Sequence, residues 1–242
     1  MTTRPTDVRR AQLTEGLGAV RARIAEACRS AGRDPAEVGL TVVTKYFPAS
    51  DVALLAELGV RDVSENKHQE AADKRPAVAQ LRGADDLRWH FIGGLQSNKA
   101  AAVARWADVV ESVDRTKLVS RLATGAAERD APLDVLVQVS LDAPGAQGRA
   151  GADPDDVPAL TAAIAGAESL RLRGVMGVAP LGEDPAEAFA RLAEVAEAVR
   201  RDHPGATWVS AGMSGDLEQA VAAGATHVRV GSAVLGPRPV IK

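Results

Sequence analysis

The feature that most limits the fold is a regular alternation of short apolar runs with alanine-rich amphipathic stretches. Eight runs have strand character, at residues 40–45, 60–64, 87–92, 108–113, 133–141, 170–176, 207–210 and 227–230. Helical stretches such as 51–58, 116–127 and 185–201 lie between them. Such alternation predicts parallel strands joined by helical crossovers. Eight units in 242 residues favour a single closed (β/α)8 TIM barrel. An open doubly wound sheet is the alternative, because periodicity does not reveal closure.

An additional helix is predicted at residues 5–32, before the first strand. Little chain follows the eighth run, so we expect this leading helix to cover barrel surface that a long eighth helix would otherwise protect. No linker-like stretch interrupts the alternation, and residues 1–242 are therefore expected to form one domain.

Charge and cysteine content restrict the partners and the compartment. Lys and Arg total 29 against 32 for Asp and Glu, a net charge of −3, which argues against a basic nucleic-acid surface. The single cysteine, Cys28, excludes an intrachain disulfide and a cysteine-rich zinc site and fits a reducing compartment. No apolar run approaches the ~18 residues of a membrane helix. The sequence predicts a cytoplasmic protein that binds neither membranes nor nucleic acid.

The first candidate for chemistry is Lys45, at the end of the first apolar run. Reactive groups of parallel barrels collect at the carboxyl ends of strands. Alternation places Lys45 on the same strand face as Thr41 and Val43. Partial loss of hydration there makes an amine nucleophilic toward carbonyl compounds. A solvated lysine just beyond the strand is the alternative, and spacing alone favours it.

The segment after the seventh run combines small residues with hydroxyl groups. It comprises Ser210, Ala211, Gly212, Met213, Ser214, Gly215 and Asp216. Ser214 is predicted to cap the next helix, and the glycines let backbone amides approach a phosphate. The carboxylate of Asp216 opposes an anion. An ordinary capped helix is the alternative interpretation.

The eighth run ends with a second candidate for phosphate binding. Arg229 interrupts the apolar run, and Gly231 and Ser232 follow where a short helix would begin. Loops after strands seven and eight commonly form the phosphate site of a barrel, so the two segments together favour phosphate binding. The spacing of Gly231 and Gly236 is similar to a P-loop, but Pro237 stands where Lys is required. This excludes a nucleoside-triphosphate site.

Amide side chains follow the second and third runs. Asn66 lies in the segment 64–70 after the second run, and Asn98 lies beyond the third. Each either orients a ligand or caps a helix. The four histidines have no metal-ligand spacing, so no metal site is predicted.

A lysine after the first strand and a phosphate site after the last two favour a phosphorylated carbonyl compound. Pyridoxal 5′-phosphate fits, with its aldehyde on Lys45 and its phosphate at Ser214 and Ser232. A sugar phosphate in a Schiff-base aldolase fits equally well. Spacing does not choose between them.

Motifs along nearly the whole chain after the leading helix resemble one family. They are Val42-Val-Thr-Lys-Tyr46, Glu65-Asn66, Gln69-Glu70, Trp89-His-Phe-Ile-Gly93, Leu95-Gln-Ser-Asn-Lys99, Leu172-Arg-Gly-Val-Met176, Gly212-Met-Ser-Gly-Asp-Leu217 and Val228-Arg-Val-Gly-Ser232. Separately each is weak, but in this order and spacing they are specific. The sequence closely resembles the YggS/PROSC family of pyridoxal phosphate homeostasis proteins.

This resemblance implies a fold type III barrel, similar to the N-terminal domain of alanine racemase. It implies that pyridoxal 5′-phosphate is held as a Schiff base on Lys45. Its phosphate is then bound by Ser214, Gly231 and Ser232, and Arg229 corresponds to the family arginine that faces the pyridine nitrogen. Further candidate cofactor-binding residues are Asn66, Ser210, Gly212 and Met213.

The resemblance also implies buffering or delivery of the cofactor, with apo-enzymes as recipients and no catalytic turnover. The expected state is a monomer. Barrel racemases of this type take an acid–base group from a second, β-rich domain, for which 242 residues leave no room. A small fold type III enzyme, such as an amino-acid racemase, is the alternative. Lysines at 67, 74, 99 and 117 are expected to be solvated and unreactive, which leaves Lys45 as the sole covalent anchor.

Overall fold

The computed structural model describes residues 4–81, 86–142 and 150–237. Its sheet is a closed barrel of parallel strands in sequential order from β1 to β8. The strands are β1 (Gly39–Val43), β2 (Asp62–Glu65), β3 (Arg88–Phe91), β4 (Val109–Val113), β5 (Leu133–Gln138), β6 (Leu170–Met176), β7 (Trp208–Ser210) and β8 (His227–Val230). The first and last strands close the barrel by pairing with each other, with Leu40 of β1 opposite Val228 of β8. The predicted (β/α)8 barrel is confirmed, and the open sheet is excluded.

Helices surround this barrel. Those of the described residues are α1 (Pro5–Ser30), α2 (Ala49–Glu57), α3 (His68–Ala79), α4 (Ala100–Ala104), α5 (Thr116–Ala126), α6 (Val157–Ala165), α7 (Pro185–Asp202), α8 (Leu217–Ala222) and α9 (Ser232–Leu235). None of these helices is long and apolar enough to cross a membrane.

The extra helix α1 packs against the two short helices α8 and α9. Leu13, Leu17 and Val20 lie on its buried face. Burying leucine and valine side chains contributes roughly 1.5–3 kcal/mol each. The predicted leading helix therefore covers the part of the barrel where α8 and α9 are too short to do so.

The ends of α7 show how the sequence sets a crossover helix. Pro185 occupies the first turn, and the Asp184 carboxylate accepts a hydrogen bond from the amide of Ala186 at 2.9 Å. Both features favour helix initiation. Phe189 and Leu192 are buried, which fixes the apolar face against the barrel.

Apolar side chains fill the layer between strands and helices, whereas polar side chains occupy much of the barrel interior. Val42, Val63 and Val110 are fully buried in the outer layer. Since the two faces of a strand alternate, the neighbouring positions point inward, and they include His90 and Glu111, which are also buried. The interior thus carries buried charge directly beneath the carboxyl ends of the strands.

Candidate functional site

A cavity of about 250 Å³ opens at the carboxyl ends of β1, β7 and β8. It is lined by Val43, Lys45, Phe47, Met213, Ser214, Gly215, Arg229, Gly231, Ser232 and Gly236. This lining brings together six of the predicted site residues, which are Lys45, Met213, Ser214, Arg229, Gly231 and Ser232. Segments nearly 190 residues apart in sequence meet here because β1 pairs with β8.

Lys45 lies in the turn after β1 and not on the strand, which ends at Val43. The expectation that it continues the face of Thr41 and Val43 is therefore wrong in detail. The amide of Phe47 donates to the carbonyl of Thr44 at 3.1 Å, which closes a turn around Lys45. The half-buried lysine still reaches the cavity, but the turn and not the pleat of the strand directs it.

The loop after β7 differs from the prediction at the helix start. Helix α8 begins at Leu217 with Asp216 as its N-cap residue, so Ser214 does not cap it. The Asp216 carboxylate accepts from the amide of Met213 at 2.6 Å and is buried. It therefore shapes the loop, and Ser214 remains at the cavity wall.

Gly212 supports this loop without lining the cavity. Its φ is +88°, a left-handed conformation that strains other residues, and a Cβ there would come within 2.6 Å of the Ala220 Cβ. Its carbonyl accepts from the amide of Arg229 at 2.9 Å. Gly212 thus sets the approach of the β7 loop to β8.

The loop after β8 presents Gly231 and Ser232 to the cavity, with Ser232 as the first residue of α9. A Cβ at Gly231 would lie 3.3 Å from the carbonyl oxygen of Val43, so glycine permits close contact with β1. At Gly215 a Cβ would meet nothing within 4 Å, and the backbone there is open. The cavity wall on this side consists largely of main chain and hydroxyl groups.

Arg229 forms the floor of the cavity and is 3 % exposed. Its Nη1 donates to Ser210 Oγ at 2.6 Å, and its Nη2 donates to the carbonyl of Gly177 at 2.9 Å. Ser210 Oγ in turn donates to Glu111 Oε2 at 2.5 Å. Ser210 does not line the cavity and instead holds the guanidinium from below.

A buried charge network continues through the barrel interior. His90 lies between two carboxylates, with Nδ1 2.6 Å from Glu111 Oε1 and Nε2 3.0 Å from Asp62 Oδ1. Glu111 Oε2 is also 3.8 Å from Arg229 Nη1. Opposite charges therefore alternate from Asp62 through His90 and Glu111 to Arg229.

Burial disfavours the charged forms of His90 and Glu111, but the charged groups that contact them outweigh it and set the direction of their pKa shifts. Burial alone would lower the pKa of His90, but the hydrogen bonds to Asp62 and Glu111 raise it to about 9. Burial would raise the pKa of Glu111, but His90 and Arg229 hold it at about 2. Burial lowers the pKa of Arg229, opposed by the charge of Glu111.

Sequence reasoning missed the roles of Glu111 and His90. The signal was present, since Glu111 interrupts the apolar run of β4 just as Arg229 interrupts that of β8. Pairing the two needs the closed barrel, because β4 and β8 are not neighbours in the sheet.

Asn66 lies away from this cavity. With Lys67, Gln96 and Lys99 it lines a separate recess at the ends of β2 and β3. Its Oδ1 is buried without a hydrogen-bond partner. Asn66 caps no helix, because α3 has Lys67 at the N-cap position.

The other lysines divide into two groups. Lys67, Lys99 and Lys117 are exposed, as predicted. Lys74 is buried, and its Nζ lies 2.7 Å from Glu65 Oε1, so the expectation of a solvated side chain is wrong there. The described residues contain no cluster of His, Cys, Asp or Glu suited to a metal ion.

Comparisons with known proteins agree with this architecture. Residues 16–239 match the family of the alanine racemase N-terminal domain. The pyridoxal phosphate homeostasis protein of Mycobacterium tuberculosis is 44% identical over 95% of this chain and 94% of its own length. That of Pseudomonas aeruginosa is 42% identical over 93% of this chain and 96% of its own.

Solved structures give the same result. PipY of Synechococcus elongatus with pyridoxal phosphate bound is 33% identical, with a TM-score of 0.77 over 93% of this chain and 100% of that one. Alanine racemase of Corynebacterium glutamicum shares the fold, at 17% identity and a TM-score of 0.65 over 93% of this chain and 62% of that one. The chain therefore belongs to the family of pyridoxal phosphate homeostasis proteins, built on the barrel of the alanine racemase N-terminal domain.

Proposed function

We propose that this protein binds pyridoxal 5′-phosphate in the cavity after β1, β7 and β8 and serves in its homeostasis, by buffering or delivering the cofactor. The observation that carries the proposal is that an amine, a guanidinium and two serine-bearing loops line one cavity. The names of the relatives and the bound ligand of PipY support it.

The donor set fits this cofactor. Two glycine- and serine-bearing loops line the cavity, and their main-chain amides and the hydroxyls of Ser214 and Ser232 are groups that suit a phosphate. The Arg229 guanidinium is held in place by Ser210 and Gly177 and would serve as an N–H donor to the ring nitrogen of the cofactor. Lys45, in the turn after β1, lines the same cavity. When bound, pyridoxal phosphate supplies an aldehyde that forms a reversible C=N bond with an amine.

The residues act by binding and holding more than by moving protons. Lys45 anchors the ligand, and the two loops hold its phosphate. A guanidinium stays protonated in proteins, so Arg229 would donate to the ring nitrogen of the bound cofactor, and that nitrogen would then remain unprotonated. An unprotonated ring withdraws electrons weakly, which disfavours the carbanion chemistry of transamination.

We further propose that the protein has no catalytic turnover. Racemisation needs proton donors and acceptors on both faces of the substrate. The described lining consists of glycine, serine, apolar residues, one lysine and one arginine, so Lys45 alone offers a group that exchanges protons readily. We also propose that the protein is a cytoplasmic monomer with apo-enzymes as recipients.

The deciding experiment mixes protein loaded with pyridoxal phosphate with an apo-transaminase, in the presence of a scavenger for free cofactor. We expect transaminase activity to recover faster than from an equal amount of scavenged free cofactor. Recovery at the same rate would reduce the function to buffering.

A second arm tests for turnover. Loaded protein is incubated with a panel of single-enantiomer amino acids, and racemisation is followed by chiral chromatography. We expect no turnover above the rate of free cofactor. Racemisation that Lys45→Ala abolishes would overturn the non-enzymatic interpretation.

A further inference from the structure

Three charged side chains pack beneath the turn that carries Lys45. They are Glu65 at the end of β2 and Glu70 and Lys74 on α3, here called the α3 charge cluster. Lys74 Nζ lies 2.7 Å from Glu65 Oε1 and 2.9 Å from Glu70 Oε1. The Glu65 side chain is fully buried, and that of Lys74 is 7% exposed. None of the three lines the cavity.

The cluster holds the backbone on both sides of Lys45. Before it, Lys74 Nζ donates to the carbonyl of Thr44 at 2.9 Å, and Thr44 Oγ1 donates to Glu65 Oε1 at 2.7 Å. After it, the amide of Tyr46 donates to Glu70 Oε1 at 2.5 Å. The two peptide units that flank Lys45 are thus tied to one group of charges.

Tyr46 is also strained. Its φ is +71°, and no other non-glycine residue among those the structure describes has a positive φ. A left-handed conformation is unfavourable for a residue with a side chain, because the Cβ then approaches the following carbonyl oxygen. The hydrogen bond from Tyr46 to Glu70 accompanies this conformation and holds its amide in place.

The buried charges of this cluster have an unfavourable desolvation free energy, so stability of the fold alone does not explain them. Removing charged groups from water has a large free-energy cost, and apolar side chains of similar volume often give equal or greater stability. Burial accordingly raises the pKa of Glu65, although Lys74 opposes the shift. Strain and buried charge at one place point to a positional role.

We propose that the α3 charge cluster positions Lys45, so that Glu65, Glu70 and Lys74 set the direction of its amine toward the aldehyde. The inference rests on the proposal that Lys45 anchors the cofactor. In that reaction the amine nitrogen and the aldehyde carbon form a C=N bond, and one water leaves. The cluster contributes no atom and accepts no proton. It holds the turn while the bond forms.

The test separates attachment from binding with two ligands. Pyridoxal 5′-phosphate has the aldehyde, whereas pyridoxine 5′-phosphate has an alcohol in its place and binds without a covalent bond. The variants are Lys74→Met, Glu70→Ala and Glu70→Gln, with the exposed Lys117→Met as matched control. Borohydride trapping with peptide mapping gives the rate of attachment to Lys45, and titration gives the affinity for pyridoxine 5′-phosphate.

We expect Lys74→Met and Glu70→Ala to attach the aldehyde about ten- to a hundredfold more slowly, because small misplacements of a reacting group have effects of that size. Affinity for pyridoxine 5′-phosphate should stay as in the unmodified protein. Glu70→Gln keeps an oxygen acceptor for the Tyr46 amide and should lose less than Glu70→Ala. Lys117→Met should change neither quantity.

Two results would overturn the inference. One is unchanged attachment in folded variants, and the other is equal loss for both ligands in proportion to a lowered melting temperature, which indicates support of the fold only. If Lys74→Met does not fold, the pair Glu70→Ala and Glu70→Gln decides. Trapping on another lysine in the unmodified protein would instead refute Lys45 as the anchor.

Discussion

The two sides of the cavity are held in different ways. On the β1 side, charged side chains from β2 and α3 hold the turn around Lys45. On the β7–β8 side, two features set the shape of the loop after β7. They are the left-handed conformation of Gly212 and the hydrogen bond that the Asp216 carboxylate accepts from a backbone amide of the same loop. The first side presents one reactive atom, and the second spreads its contacts over several amides and hydroxyls. Replacing Lys45 should therefore abolish attachment on the first side, whereas single substitutions in the loops of the second side should only weaken binding.

The largest effect is expected for Lys45→Ala. This change removes the only amine at the cavity wall in the described part of the chain, so trapping by borohydride should disappear. Pyridoxine 5′-phosphate should bind this variant as before, because the β7–β8 side is untouched. Peptide mapping and titration give the two measurements, with exposed Lys99→Ala as control. Loss of both ligands together would show that the two sides are not independent.

The division between a charged side and a main-chain side does not hold at the floor of the cavity. Arg229 belongs to the β7–β8 side, yet it packs against the buried carboxylate of Glu111. Glu111→Ala leaves His90 and Arg229 without their shared anion, and removing one partner of a buried pair costs about 3–5 kcal/mol. Urea unfolding of the ligand-free protein measures this cost. Glu218→Ala is the matched control, since its ion pair with Arg23 is exposed and contributes about 0–1 kcal/mol. Equal costs for the two variants would contradict a network that carries free energy.

A smaller effect is expected for Ser214→Ala. Losing one hydrogen bond to a charged group costs roughly 1.5–3 kcal/mol, about ten- to a hundredfold in affinity for pyridoxine 5′-phosphate. Affinity for pyridoxine, which has no phosphate, should change little, and exposed Ser120→Ala should change neither. Equal weakening of both ligands would show that Ser214 does not contact the phosphate.

The barrel itself was predictable because each strand and crossover helix carries its own apolar period. Eight repeats favour a closed barrel, but periodicity leaves the open sheet as an alternative, and the pairing of β1 with β8 decides between them. The boundaries were less predictable. Lys45 continues an apolar run in sequence, yet the strand ends at Val43, since hydrogen bonds from α3 turn the backbone there. The two hydrogen bonds join residues 30 and 24 positions apart, a separation that local sequence patterns do not show.

The site was predictable to a similar extent. Lys45, Arg229 and the serine loops interrupt or follow strands at one end of the barrel, so the fold alone collects them. Ser214 and Asp216 are both typical helix caps two residues apart, and only the packing of the loop selects Asp216. The pairing of Glu111 with Arg229 crosses the barrel and leaves no trace in local spacing.

A further predicted effect is a pH dependence of stability that arises from His90 and Glu111 beneath the cavity. The pKa of His90 is raised from 6.5 to about 9, so its contribution is complete below pH 6.5 and is lost as pH rises through 9. The pKa of Glu111 is lowered from 4.5 to about 2, so its contribution is complete above pH 4.5 and is lost as pH falls through 2. Together they stabilise the fold most between pH 4.5 and 6.5.

Urea unfolding across the alkaline limb tests this contribution. The free energy of unfolding should decline between pH 6.5 and 9 in the unmodified protein, because the unfolded chain releases the His90 proton earlier than the folded one. His90→Gln should show a flatter limb, and Glu111→Gln should flatten it partly by removing one of the two carboxylates that hold the proton. His203→Gln, at the end of α7 and away from the barrel interior, is the control and should keep the slope. A slope that survives His90→Gln unchanged would assign the decline to other groups and leave the β7–β8 floor without a protonated histidine.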